Sequence, residues 1–444
     1  MTRSDRMNAG GKRRTRPLSR IIVAEPEEIP AVIGGFLLFF LLFASYFMLR
    51  PVRETFGIAG GVENIQWLFM GTFVATLAVV PVYGWISRTV ARRALVPVTY
   101  GFSGMVMGGF AAALYLDPLN VWVARAFYIW LSVFNLFVIS IAWSLMADLF
   151  RADQAHRLFG QIAAGASLGG LAGPLLSAGL VGTVGHAGLL LLSTALLLGT
   201  LVCVRFLLRW SGASAAVDQP AQRPVGGSVW AGLTLIARSP YLIGISGFVL
   251  LLASVSTFLY MEQARIVDAT FPDPVRQTQV FGTIDAAVQS LTIGIQLFVT
   301  GRIAKRLGVG VLLGIVPLLM ILGFGLLAVT ATFPVLAGVV ILRRVGEYAL
   351  VRPGREMLFA SLDPQAKYKA KNAIDTVVYR GGDMLSAWLN SAILLIGTAS
   401  AAAVGGAALA GIWALLGFAI GRRHDRNTGA QHAGRVPAHS ASAG

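Results

Sequence analysis

The sequence predicts an all-α membrane protein, with twelve transmembrane helices in two pseudo-symmetric six-helix bundles, and three observations carry that expectation. Of 444 residues, 56% are hydrophobic and 13% charged, against about 25% charged in an ordinary soluble domain. A dozen apolar stretches can be counted, each long enough to cross a hydrocarbon layer of roughly 30 Å as a helix. These stretches fall into two runs of six around one long polar interval. Twelve helices use about 250 positions, so no sizeable soluble domain is expected beside them.

Taken in order, the apolar stretches predict helices over 29–50, 62–86, 94–115, 119–147, 158–182, 186–208, 240–262, 276–300, 308–330, 333–351, 369–397 and 400–421. The first, from Ile29 to Leu49, is longer than a signal-peptide core and has no small-residue cleavage site close behind it, so it is read as staying in the membrane. The interval 209–239 carries Asp218, Gln219, Pro220, Gln222, Arg223, Pro224, Gly226 and Gly227, the composition of a flexible linker. The expected organisation is a basic tail (1–28), a first bundle (29–208), the linker (209–239), a second bundle (240–421) and a disordered tail (422–444).

The formal charge of +16 would suggest nucleic-acid binding in a soluble protein, but the placement of the 36 Lys and Arg decides otherwise. With these spans, Arg50, Arg53, Arg265 and Arg276 fall on one side, and Arg125, Arg343, Arg344 and Arg380 fall inside helices. The rest collect on the side of the termini, including Arg3, Arg6, Lys12, Arg13, Arg14, Arg16, Arg20, Arg422, Arg423 and Arg426. That is the positive-inside pattern of a multi-pass protein of a bacterial cytoplasmic (inner) membrane, with both termini cytoplasmic. The lone Cys203 allows no internal disulfide.

Adding 211 to the first-half numbers reproduces most second-half spans. Arg88, Arg92 and Arg93 answer Arg302, Lys305 and Arg306, and Gln154-Ala155-His156 answers Gln365-Ala366-Lys367. A parallel six-plus-six repeat is the layout of the major facilitator transporters, whose site lies between the halves near mid-membrane and whose access alternates as one half rocks on the other. Gly165, Gly169 and Gly173, four apart, mark a face where a neighbouring helix approaches closely. At the repeat offset Gly169 becomes Arg380, so a packing position in one half carries a charge in the other.

A charged side chain at mid-bilayer costs roughly 2.5–3.5 kcal/mol on insertion scales, so those present face a cavity or a partner. At the end of the first helix Tyr46, Arg50, Arg53 and Glu54 share a face if helical geometry continues, and two guanidiniums there form a fork for carboxylate or phosphate oxygens. The competing expectation is that Pro51 ends the helix and both arginines snorkel to the headgroups. Helix seven carries Tyr260, Glu262 and Arg265, which reads as half of a gate or as an interfacial anchor. In helix ten, Arg343 and Arg344 both reach Glu347, near Tyr348, so one is left for a substrate or another helix. Helix eleven holds Asp375, Arg380 and Asp383, helix eight Asp285, Gln289 and Gln296, and helix four Arg125 and Asn135. Asp285 is the foremost candidate for a protonatable carboxylate, with pairing to Arg344 or Arg380 as the structural alternative.

Soluble chemistries fail on inspection. Gly101-Phe102-Ser103-Gly104 matches an intramembrane serine-protease pattern, but His156, His186, His424, His432 and His439 are all expected in loops or the tail, out of reach of that serine. Gly308-Val309-Gly310 with Gly314 lacks dinucleotide spacing, and there is no phosphate-binding Walker loop and no His/Cys cluster. The chain is therefore read as a non-enzyme without cofactor or metal, driven by gradients or exchange.

The run Ser45-Tyr46-Phe47-Met48-Leu49-Arg50-Pro51-Val52-Arg53-Glu54-Thr55 resembles the first-helix signature of the ATP/ADP (NTP/NDP) translocases of plastids and intracellular bacteria, relatives of the major facilitators. Leu158-Phe159-Gly160 with Ala164-Gly165-Ala166-Ser167-Leu168-Gly169 is similar to their fifth helix, and Lys369-Ala370-Lys371-Asn372-Ala373-Ile374-Asp375-Thr376-Val377-Val378 to their entry into helix eleven. The resemblance implies that Arg53 contacts phosphate and that Arg380 stands among the basic residues of helix eleven. It departs in helix four, where Leu131, Ser132 and Asn135 stand in place of an acid, and in helix seven, where Glu262 matches only with a two-residue slip. The facilitator signature between helices two and three is degenerate too, Gly84-Trp85-Ile86-Ser87-Arg88 lacking its Asp.

The expected function is a secondary transporter or exchanger (antiporter) of a small anionic solute, nucleotide or otherwise phosphorylated, embedded in a lipid bilayer, with nothing that requires more than a monomer. Tyr46, Arg50, Arg53, Arg125, Arg344 and Arg380 are the substrate-binding candidates. Glu54, Glu262, Asp285, Glu347, Asp375 and Asp383 are the gating or coupling candidates. Two alternatives stand beside it: a proton-coupled exporter of amphipathic compounds, and a membrane scaffold or sensor without transport.

Overall fold

The computed structural model describes residues 24–90, 92–118, 120–213, 229–360 and 363–433. The basic residues of the first 20 positions, the linker residues 218–227 and the end of the C-terminal tail lie outside the described residues, as do the side chains of Arg88, Arg92, Arg93, Lys305, Gln365 and Ala366.

Every regular element among the described residues is helical. The chain passes through α1 (Ile29–Ala59), α2 (Ile65–Thr89), α3 (Arg92–Leu116), α4 (Val121–Leu149), α5 (Ala152–Ala213), α6 (Val229–Arg238), α7 (Pro240–Thr270), α8 (Pro274–Ile295), α9 (Gly301–Val329), α10 (Phe333–Gly346), α11 (Arg352–Ala360), α12 (Pro364–Ala373), α13 (Tyr379–Ile396) and α14 (Ala399–Ala433). In lipid only a helix satisfies its own backbone polar groups, which is why these apolar runs take no other form. Their starts are set by local chemistry. Asn120 accepts from the N–H groups of Trp122 and Val123, and Asp273 from those of Val275 and Arg276, while α1, α7, α8 and α10 carry Pro in the first turn.

Nine spans among the described residues are long and apolar enough to cross a membrane. One of them, Asp153–Ser211, has 59 residues and is two helices joined at Gly185, whose φ of 66° suits glycine and breaks the helical path. Both arms of α5 lie on α1. Gly165, Gly169 and Gly173 face the carbonyls of Phe36, Phe40 and Ala44, so close that a Cβ at Gly173 would stand 2.7 Å from the Ala44 oxygen. The returning arm is fixed by Ser45 and Ser193, each hydroxyl donating to the other's carbonyl at 2.9 Å. The glycine face is therefore a packing face.

The structure departs from the sequence expectation in four places. Helix α1 does not stop near Pro51 but runs to Ala59, so Arg50, Arg53 and Glu54 are helical and half-buried or buried rather than snorkelling at an end. Proline removes one backbone bond, which neighbouring helices can compensate inside a membrane bundle. Part of the interval expected to be linker is the helix α6, whose Ile236 is buried in the second-half core and whose Gly232 lies against the backbone of Lys369. The expected tail is helical to Ala433 within α14. Of the histidines expected in loops or the tail, His156, His186, His424 and His432 lie within helical segments.

Buried apolar residues form two cores. One is drawn from residues 31–207 and the other from 236–420, joined by Ile58 and Ile65. The halves touch at the ends of the helices remote from the termini. Thr55 of α1 bonds Thr278 of α8 at 2.7 Å, His186 of α5 reaches the same hydroxyl at 3.0 Å, and Gly282 packs against Pro174 and Ala178. Three five-residue π turns interrupt the second half, at Gln296–Thr300, Glu347–Val351 and Ile374–Val378. Such turns shift the helical register and recur at functional sites.

Candidate anion-binding cavity

A cavity of about 700 Å³ lies between the halves and extends toward the side of the termini, where Arg352, Pro353 and Glu356 form part of its rim. Most of its first-half wall comes from one face each of α1 and α4, with Phe69 and Thr72 of α2 and Ala166 and Ser167 of α5 beside them. On α1 the lining residues are Phe43, Tyr46, Phe47, Arg50, Arg53 and Glu54, and on α4 Tyr128, Ser132, Asn135, Ile139 and Trp143. Both sets follow helical spacing. The second-half wall is placed by the π turns: Glu347 and Tyr348 sit in one, and Tyr379 and Arg380 directly follow another.

Of the substrate-binding candidates, Tyr46, Arg50, Arg53, Arg344 and Arg380 line the cavity, as do Glu54, Asp285, Glu347 and Asp383 among the acids. Three expected site residues are elsewhere. Arg125 donates from Nε and Nη2 to the carbonyl of Gly60, at 3.0 and 2.6 Å, over the ring of Trp122. Gly60 is the C-cap of α1, so Arg125 closes that helix end. Glu262 pairs with Arg265 one turn along its own helix and does not line the cavity. Asp375 pairs with Arg355 at 3.1 Å.

The guanidiniums are mostly engaged. Arg53 holds Glu54 at 2.5 Å, donates to the Ser132 hydroxyl at 3.4 Å, and lies over the ring of Tyr128. Arg343 takes Glu347 at 2.6 Å, which leaves Arg344 to another helix, where it donates to Asp285. Arg380 stands 3.5 Å from Asp383, whose other oxygen accepts from Thr257 at 3.0 Å. Arg50 crosses from the first half to the second, with Nε 3.6 Å from Asp285 and Nη1 donating to the Tyr348 hydroxyl at 3.3 Å.

Pairing nevertheless leaves positive charge over. Six arginines line the cavity (Arg50, Arg53, Arg343, Arg344, Arg352 and Arg380) against five acids, and one of these, Glu356, is held by Lys371 at 2.6 Å. Asp285 serves two guanidiniums, and Arg352 has no acid within 4.0 Å among the described residues. Buried donors also lack partners: Nε of Arg53 and Nε of Arg344 bond nothing among the described residues. A desolvated donor without an acceptor costs about 1–3 kcal/mol, which an entering anion offsets. The lining thus carries a net positive charge among the described residues.

Sequence reading missed Arg352 and Glu356 because helix ten was ended at 351, where the π turn carries it onward. In helix four it singled out Asn135 and named Ser132 but missed Tyr128, which completes a face of three polar side chains at spacings of four and three.

The TLC ATP/ADP transporter family model matches residues 226–416. The chain is 22% identical to ADP,ATP carrier protein 1 of Chlamydia muridarum, over 83% of each chain, and 22% identical to ADP,ATP carrier protein 1 of Chlamydia pneumoniae, over 83% of this chain and 85% of that one. Among solved structures it is similar to an inward-facing, unoccupied bacterial homolog of the human lysosomal transporter Spinster, with TM-score 0.63, 13% identity, and 91% and 99% of the two chains covered. It is likewise similar to the nucleoside transporter NupG, with TM-score 0.57, 13% identity, and 89% and 99% covered.

Proposed function

We propose, from the premise that this chain has the fold of the major facilitators and is distantly similar to the ATP/ADP transporters, that it exchanges nucleotides or related phosphorylated anions across a bacterial inner membrane. The observation that carries the proposal is the surplus of guanidinium over carboxylate on a cavity between two helical cores. In this reading the chain crosses the membrane twelve times: α5 counts as two spans, and α10 with α11, and α12 with α13, count as one each. Residues 29–208 and 240–421 form the rocking halves, and both termini are cytoplasmic. The cavity then faces the cytoplasm and is closed outside by the contacts around Thr278.

Arg53 and Arg50 on one half and Arg344 and Arg380 on the other bind the phosphate oxygens. Glu54, Asp285, Glu347 and Asp383 neutralise them when no solute is present. An anion that replaces these carboxylates as partner gains charge-assisted hydrogen bonds from guanidinium forks already in place. Three features disfavour the alternatives. A proton-coupled exporter of amphipathic compounds needs a wall less crowded with arginine, a scaffold needs no cavity, and the relatives are carriers.

The direct test is uptake into proteoliposomes of labelled nucleoside di- and triphosphates, with and without unlabelled nucleotide inside. Uptake that depends on internal nucleotide supports exchange. Uptake of none of these, beside uptake of an amphipathic cation driven by a pH gradient, overturns the proposal.

A further inference from the structure

The first-half wall of the cavity changes character along its depth. On α1 the rings of Phe43 and Phe47 lie nearer the termini side and Arg50 and Arg53 lie deeper. At 1.5 Å per residue Phe47 precedes Arg50 by about 4.5 Å and Phe43 by about 10 Å. The antiparallel α4 repeats the order, with Trp143 at the level of the rings and Ser132, bonded to Arg53, at the level of the charges. Across the cavity, α8 places Asp285 beside Arg50 and, one turn toward the termini, Gln289.

Gln289 lies close to the rings, and its amide is free among the described residues. Gly170 of α5 lies between them: a Cβ there would stand 3.0 Å from Gln289 Nε2 and 3.8 Å from Phe47 Cε2. The Gln289 amide also makes no side-chain hydrogen bond among the described residues. Phe47 and Phe43 stack on one another with centroids 5.9 Å apart and planes 17° from parallel, which gives an extended apolar face. An aromatic stack with the Arg50 guanidinium 5.9 Å from the Phe47 centroid, beside an unengaged amide, has the chemistry to hold a flat heterocycle by a ring face and by its polar edge.

We infer that Phe47, with Phe43, is a stacking shelf for a nucleobase and that Gln289 reads the edge of that base, so that the solute enters phosphate first and is selected by its base at the termini side. This inference rests on the proposed nucleotide function. It assigns Phe47 and Gln289 a specificity role that is separate from anion binding.

The test uses the purified full chain in proteoliposomes and, in parallel, in detergent. Competition against a labelled nucleoside diphosphate is measured for unlabelled diphosphates of the four bases and for inorganic pyrophosphate, and thermal stabilisation by the same compounds is read on the detergent sample. Stacking on an aromatic ring is worth about tenfold in affinity, so Phe47→Leu is expected to weaken every nucleotide about tenfold and leave pyrophosphate where it was. Phe47→Tyr keeps the ring and is expected to keep the affinity, which controls for folding. Gln289→Leu is expected to change the ranking among bases, again without effect on pyrophosphate.

Equal loss for nucleotides and pyrophosphate in Phe47→Leu, or an unchanged base ranking in Gln289→Leu, overturns the inference. So does a wild-type protein that binds pyrophosphate as well as any nucleotide, an outcome that leaves the anion reading standing. A wild-type protein that binds neither overturns both.

Discussion

Arg50 reaches Asp285 across the boundary between the halves, Nε to Oδ2 at 3.6 Å, and finds the other carboxylate oxygen already taken by Arg344. One acid thus holds two guanidiniums from opposite sides of the cavity. The bridge has a consequence for exchange. While Asp285 is the partner, α1 is tied to α8 and α10. A phosphate that takes over Arg50 and Arg344 loosens that tie and leaves Asp285 the group to be accommodated.

Replacement Asp285→Asn should therefore lower stability and raise the response to ligand. Breaking a buried pair by removing one partner costs about 3–5 kcal/mol because the other charge is stranded, and here two charges are stranded. A thermal scan of the ligand-free variant should show a clear drop in melting temperature. Pyrophosphate should restore more of it than it adds to the wild type. An equal ligand shift in both proteins would mean that Asp285 does not compete with the anion.

Arg53 offers a second separation of roles. It holds Glu54 at 2.5 Å and carries an unpartnered Nε, so Arg53→Ala removes a donor and also exposes a carboxylate to the solute. Hydrogen bonds to charged groups contribute about 1.5–3 kcal/mol, or about ten- to 150-fold in affinity. Uptake at low concentration should fall by at least the lower figure. The double variant Arg53→Ala with Glu54→Gln should recover part of it, since the repulsion is then gone. A double variant no better than the single one assigns the loss wholly to the missing donor.

Arg125 should behave in the opposite way. Its two bonds to the Gly60 carbonyl close the end of α1, some distance from the cavity lining. Arg125→Ala should lose stability of about 1.5–3 kcal/mol, visible as a lower melting temperature. The apparent affinity for the solute should not move with it. A change in affinity at unchanged stability would bring Arg125 back into the site.

How far the sequence revealed this arrangement depended on which force fixed each part. Helix positions followed from apolar length, because lipid leaves the backbone no alternative. The different place of Arg380 was visible as the counterpart of Gly169, and the structure puts the glycine against the Phe40 carbonyl and the arginine on the cavity wall. What composition could not give was the partner of each charge. Arg343 and Arg344 are equivalent candidates for Glu347 by spacing alone, and only the placement of α8 sends Arg344 to Asp285. Glu262, Asp375 and Arg125 looked like site residues for the same reason that the cavity-lining ones did, since a charge in an apolar run signals a partner without saying whether it is a solute or a neighbouring helix. The π turns left no mark in the apolar pattern, so Arg352 stayed hidden past the supposed end of helix ten.

Alternating access makes a prediction at the closed end. Thr55 and Thr278 belong to opposite halves and their hydroxyls are 2.7 Å apart, so they must separate if the cavity is to open away from the termini. Cysteines at both positions, in a chain whose single native thiol is removed by Cys203→Ser, put two sulfurs where those hydroxyls now meet. Oxidation should join them, since hydroxyls that meet at 2.7 Å put the replacing sulfurs within bonding reach of one another. The linked protein should still bind nucleotide from the termini side, as judged by thermal stabilisation, yet exchange none across the bilayer. Reduction should restore exchange. If the linked protein exchanges as fast as the reduced one, the halves do not part at Thr278, and the outward opening lies along another seam between α1, α5 and α8.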